Sequence, residues 1–119
     1  MSLDRILTYC KFSKRYQGYH ALRECIEIAL KEEERLLYIT GIYYDVAESR
    51  GITASGVDRN IRTAITHAWK NGGKEPMEVI AGGKLYDKPS VSEVLEIMVC
   101  HIKEHGDDET FVYEHQGTK

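Results

Sequence analysis

Hydrophobic residues recur along this chain at the three- and four-residue spacing of helices. Leu3, Ile6, Leu7 and Cys10 fall at i, i+3, i+4 and i+7 and predict a short first helix with Ser2 as its cap. After a loop from Ser13 to Gly18, the same period returns at Tyr19, Leu22, Ile26, Ala29 and Leu30. This second helix runs into the charged stretch Lys31 to Arg35. Leu36, Leu37, Ile39, Ile42 and Tyr43 predict a third, largely buried helix, with Gly41 weakening its interior. Asp45 to Arg50 reads as a further short helix with Val46 and Ala47 turned inward, and Gly51 stands where a helix commonly ends in a left-handed residue.

Thr53 is placed to cap the clearest helix of the sequence. Val57, Ile61, Ala64, Ile65 and Ala68 form one apolar stripe before Asn71-Gly72-Gly73 stops it. A short element around Met77 to Ala81 follows Pro76. Pro89 and Ser90 then open a last helix whose Val91, Val94, Leu95, Met98, Val99 and Ile102 face the core. Strand-like alternation is confined to Lys84-Leu85-Tyr86 and a run from Thr110 to Tyr113. The predicted fold is therefore all-α, a compact bundle of about six helices containing a helix-turn-helix. It occupies residues 1–103 as a single domain, and residues 104–119 form an acidic, loosely held tail with five acids and no Lys or Arg between Glu104 and Glu114.

A chain of 119 residues that is 42% apolar has enough material for one core. No apolar run approaches the length of a membrane span or follows a basic leader, so a soluble, cytoplasmic protein with no membrane partner is expected. Cys10, Cys25 and Cys100 are odd in number and widely spaced, each within an apolar helical pattern, which predicts reduced, buried thiols. The formal net charge of −3 disfavours a nucleic-acid partner, but its distribution reverses the inference. Between residues 50 and 74, Arg50, Arg59, Arg62, Lys70 and Lys74 face one acid, Asp58, giving +4 on a body of −7.

That basic segment coincides with a helix-turn-helix pattern: a small crossing residue at Ala47, a turn at Gly51, and Ile52, Val57 and Ile61 as the apolar wedge between two helices. The second helix, about 53–71, carries Ser55, Arg59, Arg62 and Thr66 at i, i+4, i+7 and i+11. This outward stripe is roughly 16 Å long at ~1.5 Å per residue, suited to a major groove. Arg59 and Arg62 are the candidates for direct readout, because a planar guanidinium can donate two hydrogen bonds to guanine. The adjacent row holds Gly56, Asn60, Thr63 and His67; Asn60 suits adenine, and the others suit phosphate or a thymine methyl. A blander account of Asp58 and Arg62 is a surface i, i+4 pair worth about 0.3–0.5 kcal/mol, which is compatible with binding. Arg50, Lys70 and Lys74 read equally as phosphate clamps or solvated charges.

Asp45-Val46-Ala47 followed by Thr53-Ala54-Ser55-x-Val57-Asp58-Arg59-x-Ile61-Arg62-x-Ala64-Ile65-x-x-Ala68-Trp69 closely resembles the C-terminal DNA-binding domain of the stage-zero sporulation response regulator family. Gly18-Tyr19-x-x-Leu22-Arg23-Glu24 and Lys88-Pro89-Ser90-x-Ser92-Glu93 resemble that family's second helix and the entry to its last, so the likeness covers most of residues 3–103. The resemblance implies a six-helix transcription-factor domain that binds a short DNA box, often as tandem copies, with Asp58, Arg59 and Arg62 at recognition positions. Gly56 stands where the family more often has arginine, and Asn60 and Thr63 replace a small residue and a histidine. Ile39 to Asp45 is one residue shorter and lacks a proline. A receiver domain has no counterpart in this sequence, so the resemblance does not carry over control by aspartyl phosphorylation.

The expected partners are double-stranded DNA and a second copy paired on it. The competing reading is an interaction module that modulates a partner regulator without touching DNA. An enzyme is not expected: no nucleophile has a neighbouring base, and no paired acids or phosphate-cradling glycines occur. Neither a cofactor nor a metal is expected, since His101 and His105 lack a third ligand at suitable spacing. Trp69 is expected to pack at the end of the recognition helix, and Tyr38, Tyr43 and Tyr44 at the core and its rim.

Overall fold

A computed structural model describes residues 3–106, and these are helical throughout except for short connections. The elements are α1 (Leu3–Tyr9), α2 (Gln17–Lys31), a 3₁₀ segment (Glu33–Tyr38), α3 (Ile39–Arg50), α4 (Ala54–Ala68), a wide turn (Trp69–Gly73), α5 (Lys74–Ala81) and α6 (Val91–His105). The all-α expectation holds. The Ser2 cap and the Thr110 to Tyr113 run lie outside the described residues, and Lys84-Leu85-Tyr86 is a loop in which the Leu85 N–H donates to Glu78 Oε2 at 2.9 Å.

Helix α2 is the hub, packed against α3, α4 and α6. Its Tyr19, Leu22, Cys25, Ile26 and Ala29 are buried together with Val46 of α3, the apolar stripe of α4, and Leu95 and Met98 of α6. At Gly18 the backbones of α2 and α4 meet so closely that a Cβ would stand 2.0 Å from the Asn60 carbonyl oxygen. Only glycine fits there. Tyr19 donates its hydroxyl to Asp4 Oδ1, and Arg23 Nε reaches the same oxygen at 3.1 Å, tying α1 to α2. The Tyr19 hydrogen bond, with Arg23 beside it, holds the Asp4 carboxyl below its ordinary range.

The helix ends follow the chemistry of their caps. Thr53 accepts a hydrogen bond from Gly56 N at 3.0 Å, and Ser90 and Glu93 form a reciprocal capping box at the start of α6. Pro76 occupies the first turn of α5, where a missing N–H costs nothing. Gly51, at φ 68°, ends α3 and sends the Ile52 N–H back to the Ala47 carbonyl at 3.1 Å.

Five expectations are corrected. The third helix does not start at Leu36: Glu33–Tyr38 winds as 3₁₀ with no buried residue, and Leu37 and Tyr38 are 84% and 82% exposed. A three-residue turn cannot sustain a 3.6-residue stripe, and Arg35 fixes the segment by pairing with Asp45 at 2.7 Å and donating to the Gly41 carbonyl at 2.9 Å. Asp45 to Arg50 is no separate helix but the second half of α3, which runs unbroken through Gly41. Ile52 is 39% exposed rather than wedged; Tyr43, Val46, Val57 and Ile61 fill that contact while Ile52 folds over Gly56. Cys100 is exposed, on the outer side of α6 beside inward-facing Met98 and Val99, whereas Cys10 and Cys25 are buried. The helix α6 also extends through His105, two residues into the predicted tail. Trp69 is half-buried and packs on the core.

Candidate nucleic-acid interface

The second helix of the α3–α4 pair divides cleanly. Val57, Ile61, Ala64, Ile65 and Ala68 are buried, while the opposite side opens on a groove of about 870 Å³. Ser55, Asp58, Arg59, Arg62, Thr63 and Thr66 line this groove from α4, as does His67. Thr40, Tyr43 and Tyr44 complete it from α3, and Lys88 from the loop before α6.

Three charges of one sign and one of the other meet there. Arg59 is exposed and has no ion-pair partner among the described residues. Arg62 pairs with Asp58 Oδ2, one turn earlier. Asp58 accepts a second hydrogen bond at Oδ1 from the Tyr43 hydroxyl at 2.8 Å. Burial raises the Tyr43 phenol above its ordinary pKa of 10, and the Asp58 carboxylate adds to that. Lys88 Nζ donates to Thr66 Oγ1 at 2.8 Å, so the loop before α6 places a positive charge at the far end of the stripe.

Of the other sequence candidates, all but His67 lie outside the groove. Gly56 is buried in the first turn of α4, with Ile52 and Thr53 around it. Asn60 is half-buried on the side of α4 that meets Gly18 of α2 and does not line the groove. Lys70 is exposed in the wide turn beyond α4, and Lys74 is exposed at the start of α5. Arg50 holds Glu24 at 3.3 Å and Gln17 at 3.1 Å, binding the end of α3 to α2. His67 lies 3.0 Å from the Tyr16 hydroxyl through Nδ1, and its carbonyl accepts from Asn71 Nδ2 at 2.7 Å, which anchors the end of α4.

Sequence reasoning missed Lys88 and the role of Tyr43. Lys88 is 22 residues from Thr66, and only the cap at Ser90 hinted that its loop was anchored. Tyr43 read as packing because its ring is packing; its hydroxyl bonds Asp58, which lines the groove. Among the described residues no three His, Cys, Asp or Glu side chains converge on a metal-sized site, and no helix is long and apolar enough to cross a membrane.

The groove thus joins two arginines, one of them without an ion pair among the described residues, with hydroxyls and a lysine, the chemistry that phosphates and base edges call for. The family described as sporulation initiation factor Spo0A C terminal matches residues 3–102, across every helix that builds this face. The chain belongs to that family, the DNA-binding C-terminal domain of a sporulation regulator.

Proposed function

We propose that this protein is a sequence-specific DNA-binding transcription regulator in which α3, the turn 51–53 and α4 act as a helix-turn-helix, with α4 entering the major groove. The observation that carries the reading is the outward row of Ser55, Arg59, Arg62 and Thr66 on a helix whose other side is locked into the core. Arg59, free of intramolecular ion pairs among the described residues, reads a base edge at little cost; Arg62 reads from its Asp58 anchor. Lys88 and Lys70 neutralise phosphates at the end of the stripe. Asn60 and Gly56 shape the helix rather than contact bases, and Thr63 contacts a base or phosphate beside Arg59. One recognition helix gains affinity by pairing, so two copies bind a two-site duplex together.

Fluorescence-anisotropy titration of a guanine-containing duplex at several salt concentrations, with the Arg59→Ala/Arg62→Ala variant alongside, tests this. Two lost bidentate contacts at roughly 1–3 kcal/mol each predict a loss of about 30-fold or more for the preferred duplex, and a shallower salt dependence. Equal binding by the folded variant refutes it. The exposed Leu37 and Tyr38 favour a second reading, a protein-docking module for a partner regulator. Folded protein that binds no duplex at any salt selects that one.

A further inference from the structure

Tyr43, Asp58 and Arg62 form a chain of contacts running from the core to the open groove. The Tyr43 ring is 7% exposed and packed within the apolar cluster, so its hydroxyl has one position. That hydroxyl donates to Asp58 Oδ1 at 2.8 Å, and the other carboxylate oxygen accepts from Arg62 Nη2. Asp58 is 26% exposed at its side chain and Arg62 68%, so exposure rises outward along the chain.

An exposed Asp–Arg pair at i, i+4 does not by itself hold an arginine in one orientation. Both side chains are free to rotate, and solvent competes for both. The carboxylate torsion of aspartate is broad and two-fold. A hydroxyl carried by a buried ring and bonded to one oxygen restricts that freedom and leaves the second oxygen for Arg62, one turn along α4. A guanidinium docked on it through Nη2 has its position, and with it the range of its plane, narrowed before DNA arrives. Bidentate recognition of guanine depends on that plane.

Resting on the DNA-reading function proposed above, we infer that the Tyr43 hydroxyl is a specificity-determining positioning group: it fixes Asp58 and, through Asp58, the direction in which Arg62 meets the bases. It is neutral and lies behind Asp58, so it adds nothing to the attraction between protein and phosphates, which is set by charge. Its burial keeps the phenol protonated, and hence a donor, throughout the neutral range.

The test compares the native protein, Tyr43→Phe, Asp58→Ala and the double variant. Each is titrated against the duplex that the native protein selects from a randomised pool and against single-base variants of that duplex, at several salt concentrations. Phenylalanine keeps the ring in the core, and Asp58→Ala alters only the groove side, so at least one arm reports on folded protein. Tyr43→Phe is expected to lower the preference for the selected duplex by roughly 5- to 10-fold, part of the worth of one bidentate arginine contact. Affinity for disfavoured duplexes and the salt slope stay unchanged, and Tyr43→Phe has no further effect once Asp58 is alanine. Undiminished preference overturns the inference, as does a uniform loss on every duplex, or an equal loss with and without Asp58. Selection of no sequence by the native protein removes the DNA-reading function itself, and this inference with it.

Discussion

A methyl group on Gly18 probes the contact that orients α4. Built on the backbone, the added Cβ would lie 2.0 Å from the Asn60 carbonyl oxygen, 2.6 Å from its carbonyl carbon and 2.9 Å from the Ala64 Cβ. Unstrained heavy-atom contacts lie near 3.5–4.0 Å, so the two helices must separate by roughly 1–1.5 Å at their crossing. Two of the three obstacles are backbone atoms, and no change of rotamer relieves them. Overpacking of this kind costs about 1–3 kcal/mol, and a backbone collision sits at or above the upper end. Alanine's better helix propensity returns at most about 1 kcal/mol. The net expectation for Gly18→Ala is a loss of roughly 2–3 kcal/mol, which for a domain of this size lowers the unfolding temperature by about 10–20 °C. Thermal and urea unfolding followed by circular dichroism measure it. A midpoint within about 3 °C of the native protein would refute the claim that α2 and α4 touch backbone to backbone.

Two further outcomes follow from buried titratable groups. His101 is 6% exposed, and burial, reinforced by the neighbouring His105, holds its pKa below the ordinary 6.5. The unfolded chain therefore binds the proton first as pH falls, so stability is greatest above about pH 6.5 and declines below it. His101→Gln should flatten that decline in urea midpoints measured between about pH 5 and 7.5, and an unchanged slope would exclude His101 as its source. Among the thiols, Cys10 and Cys25 are buried and pushed up to about 12, whereas Cys100 is exposed. A disulfide reagent should titrate one thiol in the native protein and all three only in denaturant; rapid reaction of all three in the native state would contradict the packing of α2 and of the turn after α1.

What could be read from the sequence was whatever depended on neighbours a few residues apart. Helix α4 announced itself through the Thr53 cap and a stripe from Val57 to Ala68 because both signals are local and share the 3.6-residue period. The entry to α6 was legible for the same reason, from Pro89 and Ser90. The 3₁₀ segment was not, because its aliphatic residues have the composition of a core helix while the long-range Arg35–Asp45 pair decides their path. The groove followed the same division. Arg59 and Arg62 could be placed by counting along one helix, but Tyr43 on Asp58 and Lys88 on Thr66 are contacts between elements, 15 and 22 residues apart, with no periodic trace.

The sharp division of α4 separates two kinds of inheritance. Residues that hold the helix, among them Val57, Ile61 and Ala64, make no contribution to the groove, and Ser55, Arg59 and Thr63 on the groove side make none to the core. Copies of such a gene can therefore diverge at the outward positions without losing the folded state, so that a lineage accumulates different target sequences on one conserved scaffold. Drift on the inward side is eliminated by instability before it can alter what is read.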